Sequence, residues 1–297
     1  MLASLGPGAL AALVGLIGGL MLGLAARLGR FCTLGAIEDW LYGDSPGRLR
    51  MWAVAIGVAV TGSFTLMALG LLVPGQSFYL NLAWYPLASV LGGLVFGYGM
   101  AIAGNCGYGA LARLGGGDLR SFVIVLVMGI AAFITISGPL AYLREWAFPV
   151  AETTGTAPGI AHALAALLPL PAWAFGIAIG LAILAVALPR MIQDKASIWW
   201  GTVVGLSVVV AWAGTQWVAN YSFGETPVVS HSFARPLGET ILWSMTASGM
   251  PLTFAVGSVS GVWIGAFIGS LIKGHFRWEA CEDPRELKRQ ILGAALM

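Results

Sequence analysis

The chain has 297 residues, 58% of them hydrophobic and 9% charged, with a mean hydropathy of +0.86. A soluble domain carries about 25% charged residues, so this chain cannot cover a water-facing surface. A net charge of +2 gives no footing for nucleic-acid binding, and three cysteines without a C-x-x-C pair form no disulfide framework.

Charge-poor runs long enough to cross a bilayer as helix, about 20 residues each, predict spans at 7–28, 51–73, 86–105, 120–143, 171–189, 197–218 and 252–272. Nothing alternates in the manner of a membrane β-strand. The expected fold is therefore an all-α polytopic bundle, one domain over residues 1–297. The first run is too long for a signal peptide and reads as the first membrane segment. Glycine is about twice its ordinary frequency of roughly 7%, and rows such as Gly15, Gly19, Gly23 and Gly257, Gly261, Gly265, Gly269 predict close helix packing.

Placing the N-terminus outside puts 13 of the 15 lysines and arginines on the cytoplasmic side and leaves Arg144 and Arg235 outside. That distribution satisfies the positive-inside rule. Two outer stretches are long, 144–170 and 219–251. The second holds Glu225, His231, Arg235 and Glu239 among apolar residues and is expected to dip back as a half-helix.

The most informative pattern is an internal repeat. GGLMLGLAARLGRFCTLGA, from Gly18 to Ala36, aligns without a gap on GGLVFGYGMAIAGNCGYGA, from Gly92 to Ala110. Gly18, Gly19, Gly23, Cys32, Gly35 and Ala36 fall on Gly92, Gly93, Gly97, Cys106, Gly109 and Ala110. Repeats are a common way to build transporters, with the site where the copies meet. The closing ILGAALM reads as the start of a third copy, whose cysteine would lie past Met297.

In each copy glycines loosen the helix around a cysteine. A helix that breaks and restarts points free N–H groups and a positive dipole end at whatever binds there, which favours an anion. Cysteine adds a soft sulfur and a weak S–H donor. Cys32 and Cys106 are thus the expected substrate path for a soft sulfur oxyanion, supported by Gly29, Arg30, Gly35, Gly104, Asn105, Gly107, Gly109 and Arg113. Arg30 and Arg113 have two readings: drawing an anion inward, or anchoring helix ends at the membrane face. Glu38 and Asp39 offset Arg30 or cap a helix. Two cysteines without neighbouring histidines complete no zinc site, and no cofactor motif is present. Cys281 lies in a charged loop without a glycine frame and reads as incidental.

FCTLGAIEDW with the following GDSPGRLRMW, LGGLVFGYGMAIAGNCGYGALARLGGGDL and the closing RQILGAALM resemble the YeeE/YedE family of sulfur-transport membrane proteins. The resemblance implies an hourglass of helices with broken segments meeting at its centre. It implies thiosulfate uptake across a bacterial inner membrane, with Cys32 and Cys106 along the path. It also implies a cytoplasmic TusA-like sulfur-carrier protein as partner. The residues leave open selenium analogues as cargo. They also leave open a membrane thiol-redox or sulfurtransferase component that carries covalent sulfur on cysteine.

Overall fold

A computed structural model describes residues 6–149, 158–280 and 283–297; Cys281 lies outside them. The described residues form α1 (Pro7–Leu28), α2 (Thr33–Tyr42), α3 (Gly47–Ala68), α4 (Pro86–Ala103), α5 (Gly107–Gly115), α6 (Leu119–Ile136), α7 (Ala141–Ala147), α8 (Ile160–Leu167), α9 (Ala172–Ala187), α10 (Lys195–Tyr221), α11 (Ala234–Thr246), α12 (Phe254–Ile272) and α13 (Pro284–Leu296). No strand occurs among them, and seven segments are long and apolar enough to cross a membrane. The protein is an all-α polytopic membrane protein, as the charge-free runs predict.

The tightest seam joins α1 to α12. A methyl on Gly15, Gly19 or Gly23 would strike the backbone of Phe254, Ser258 or Val262, and one on Gly257, Gly261 or Gly265 would strike Ala12, Leu16 or Leu20. Lipid gives helices no hydrophobic reason to associate, so this backbone-to-backbone approach supplies the dispersion that holds them. A second layer packs α3 between α9 and α10.

The repeat is visible as structure. Copy one is α1, a break, then α2; copy two is α4, a break, then α5. Their surroundings differ. On α4, Gly92, Gly93 and Gly97 meet nothing within 4 Å, and the helix packs chiefly on α13. There a methyl on Gly99 would sit 2.7 Å from the Gly293 carbonyl oxygen.

Several boundaries depart from expectation. α6 stops at Ile136 rather than 143, because Gly138 and Pro139 follow and the chain restarts as α7. α3 begins at Gly47, so Arg48 and Arg50 lie inside its first turn.

The long stretch 219–251 does fold back into the bundle. α11 packs on α6 and α12. Ahead of it, His231 Nδ1 lies 2.7 Å from Ser258 Oγ, and its ring rests against Gly18, midway along α1.

At the arginine-rich end a clasp joins two loops. Asp118 and Glu279 form an isolated parallel bridge, with Leu119 N–H donating to the Glu279 carbonyl at 3.0 Å and Glu279 N–H to Gly117 at 3.1 Å. Arg120 reaches Asp118, Glu279 and Glu286 at 3.2, 3.7 and 3.6 Å, which ties α13 to the same clasp.

Candidate anion site at the paired helix breaks

Both repeat cysteines occupy the same local position. Cys32 is the N-cap of α2 and Cys106 the N-cap of α5, each with extended backbone. The chain turns two residues earlier in each copy, at Arg30 and Gly104, which both have positive φ. After the turn in copy one, Phe31 N–H bonds back to the Ala25 carbonyl at 3.2 Å. In copy two, the Cys106 sulfur accepts from Gly109 N–H at 3.4 Å. Each new helix begins with free N–H groups beside a sulfur, the geometry that favours negative charge.

A cavity of about 660 Å³ opens at these breaks. Its wall includes Cys32, Leu34 and Gly35 from copy one and Gly104, Asn105 and Gly109 from copy two. Five basic side chains converge on it: Arg27, Arg30, Arg48, Arg113 and Lys273, with His275 beside them and Glu38 as the acidic member of the wall. Fields from one sign of charge add in a low-dielectric cleft and concentrate counter-ions there.

Most of these cations are held by neutral or local partners. Arg27 Nε donates to Ser270 Oγ at 2.6 Å. Arg113 Nη2 donates to the Gly104 carbonyl at 3.1 Å, across the second break. Lys273 Nζ donates to the Arg27 and Leu28 carbonyls at 2.8 and 3.1 Å, capping the C-terminal end of α1. Burial, then the charges of Arg30 and Arg27, push the Lys273 ammonium below its usual range. Arg48 is paired with Asp39, its Nη2 2.6 Å from Oδ1, and its guanidinium lies over Gly35. Among the described residues the Arg30 side chain has no hydrogen bond or ion pair.

The remaining expected residues separate by position. Cys106 is not part of the cavity wall; it sits between two wall residues and packs against the main apolar core. A methyl on Gly29 would lie 2.5 Å from Trp200, and one on Gly107 2.6 Å from the Met128 sulfur, so both glycines serve packing. Asn105 is 1% exposed, and neither its Nδ2 nor its Oδ1 has a partner. An unpaired buried polar atom costs about 1–3 kcal/mol. Sequence reasoning missed Arg27, Arg48, Lys273, His275 and Ser270 as wall residues. The basic character of Arg27, Arg48, Lys273 and His275 was legible, but the convergence of Lys273, His275 and Ser270 with Arg27 depends on the end of α12 and the loop after it meeting the end of α1.

A second cavity, about 340 Å³, is almost wholly apolar and lined by residues of α3, α8, α9 and α10. It carries no arginine or lysine.

The family match and the named relatives that follow place this polytopic bundle, with its cationic vestibule at two helix breaks, among membrane transport proteins rather than enzymes. The chain matches the sulphur transport family over residues 28–297 and belongs to that family. It is similar to the thiosulfate transporter TsuA of Escherichia coli (strain K12), 35% identical over 111 residues, which make up 37% of this chain and 30% of that protein. It is also similar to the thiosulfate transporter TsuA of Spirochaeta thermophila, 24% identical over 274 residues, or 90% of this chain and 73% of that protein.

Proposed function

We propose that this protein is a permease for thiosulfate or a closely related sulfur oxyanion, in a bacterial inner membrane, delivering the ion to the cytoplasm. The observation that carries the reading is the cationic cavity at the paired breaks, with Cys32 in its wall and a restarted helix on either side. A divalent anion loses hydration as it enters a bilayer, and the protein must replace each lost contact. Arginines at the mouth supply attraction, helix N-termini supply N–H donors, and cysteine supplies a polarizable contact. The names of the two relatives support thiosulfate as cargo. The basic end, by the positive-inside rule, faces the cytoplasm, and the loop carrying Lys273 and Arg277 is where a TusA-like sulfur carrier would receive sulfur.

The test is uptake of 35S-labelled thiosulfate into bacteria that express the gene and lack other thiosulfate carriers. Saturable uptake that supports growth on thiosulfate is expected. Absence of uptake with the protein inserted in the membrane would overturn the reading. A persulfide accumulating on Cys32 or Cys106 during turnover would favour the sulfurtransferase alternative.

A further inference from the structure

The two repeats place different residues immediately before the cysteine. Copy one has Phe31, which is buried and lies tilted against Trp52 with ring centroids 4.4 Å apart. Copy two has Asn105, equally buried, with both polar ends of its amide unpartnered. Copy one thus carries an apolar side chain at the position before its cysteine. Copy two keeps a polar one at a stability cost, in the wall of the cationic cavity. We infer that Asn105 is the selectivity residue of the cavity, donating from Nδ2 to an oxygen of the bound oxyanion.

The inference rests on the sulfur-oxyanion reading and deepens it. The charges of the arginines attract any anion, hydrosulfide included. A buried amide adds discrimination for oxygen. Its N–H₂ end rewards an oxygen acceptor with a directed hydrogen bond, and its carbonyl end repels an acceptor that arrives in the wrong orientation. The χ2 torsion of asparagine is broad, so a modest rotation turns the amide toward the ion. Being neutral, it binds without the grip of a guanidinium, which suits a site the ion must leave. A site that hydrogen-bonds its ligand rejects analogues lacking that group far better than an apolar site does.

The test compares wild type with Asn105→Leu, which keeps the approximate shape, and Asn105→Asp, which keeps the shape but turns the donor into an acceptor. In labelled-thiosulfate uptake, Asn105→Leu is expected to raise KM at least ten-fold. Its melting temperature should be equal to or above wild type, because an unsatisfied amide has been removed. Sulfite should outcompete hydrosulfide in wild type, and that preference should collapse in Asn105→Leu. A structural asparagine would do the opposite, lowering melting temperature and membrane abundance with KM and competitor order unchanged, and that result overturns the inference. If Asn105→Leu fails to insert, detergent-purified wild type and Asn105→Asp decide the matter by melting shifts with added thiosulfate or sulfite. A shift in wild type that Asn105→Asp loses supports the role; equal shifts, or none in either protein, overturn it. A shift without uptake would sink the permease reading and leave the role of Asn105 standing.

Discussion

Arg30 and Gly104 occupy the same place in the two repeats, two residues before the cysteine, and both are left-handed, with φ of 56° and 76°. Glycine adopts that conformation freely, whereas a residue with a Cβ is disfavoured by about 1–2 kcal/mol. Copy one therefore holds a strained arginine where copy two shows that glycine serves. Such strain concentrates at functional sites. Arg30→Gly is expected to raise the melting temperature in detergent while raising KM for thiosulfate several-fold. Gly104→Ala should lower stability by about 1 kcal/mol through the backbone alone, since a methyl there meets nothing within 4 Å. An Arg30→Gly variant that is no more stable and transports normally would remove the functional explanation of the strain.

The cysteines can be tested by separating cap from sulfur. Serine is a good N-cap residue, so Cys106→Ser should preserve the start of α5 and the melting temperature. Cys32→Ala and Cys106→Ala should each sharply reduce growth on thiosulfate, and Cys106→Ser should share the defect despite its intact fold. If the lost contact raises the barrier by about 3 kcal/mol, uptake falls on the order of 100-fold. Wild-type uptake in both alanine variants would reduce the cysteines to packing residues.

Gly23 and Gly97 are repeat equivalents with opposite surroundings. A methyl on Gly23 would collide with Val262, Gly265 and Ala266 across the α1–α12 seam, whereas one on Gly97 meets nothing within 4 Å. Overpacking a tight interface costs about 1–3 kcal/mol or more. Gly23→Ala should therefore lose folded protein in fluorescence-detected gel filtration, and Gly97→Ala should not. Equal losses would mean that the α4 face is as closely covered as that of α1.

Lys273 gives a pH dependence with a definite sign. Its ammonium is held below the usual range by burial and by Arg30 and Arg27. An anion in the cavity opposes both arginine charges, raises the pKa of Lys273, and so binds together with a proton. Thiosulfate affinity should then fall as the pH rises through the alkaline range where the unoccupied Lys273 loses its proton. In Lys273→Arg that fall should disappear over the same range, because arginine stays charged. Isothermal titration in two buffers of different ionisation enthalpy measures the proton uptake directly; none at alkaline pH would contradict the linkage.

Much of the fold was legible because lipid imposes a crude rule. Charge-free runs of sufficient length become helices, and the seven expected spans correspond to seven candidate segments. The repeat also foretold that the chain breaks at Cys32 and Cys106 and restarts as helix. What it could not foretell was packing. Gly18, Gly19 and Gly23 look like Gly92, Gly93 and Gly97, yet α1 is sealed against α12 while the glycine face of α4 is open. Helices that are apolar all round carry no stripe to indicate a partner. The same lack concealed the cavity wall, since Arg27 and Lys273 meet across 246 residues of sequence. Asn105 and Phe31 differ in the sequence, but only burial without a partner makes the difference informative.

The seam between α1 and α12 has a mechanical consequence. α5 is fastened to the same body: Tyr108 donates to the Leu22 carbonyl at 2.7 Å, and a methyl on Gly115 would sit 2.7 Å from the Ala266 side chain. The lip of the cavity formed by Asn105, Gly109 and Arg113 thus belongs to a stator. The other lip, carrying Leu34 and Glu38, is α2, which hangs from the Arg30 turn and packs on α3, with the Arg48–Asp39 pair fastening it there. Opening and closing should therefore be a swing of α2 about the two left-handed turns that flank it, at Arg30 and Asp44. Spin-label distances from α2 to α5 would change with the anion, while those from α1 to α12 would stay fixed.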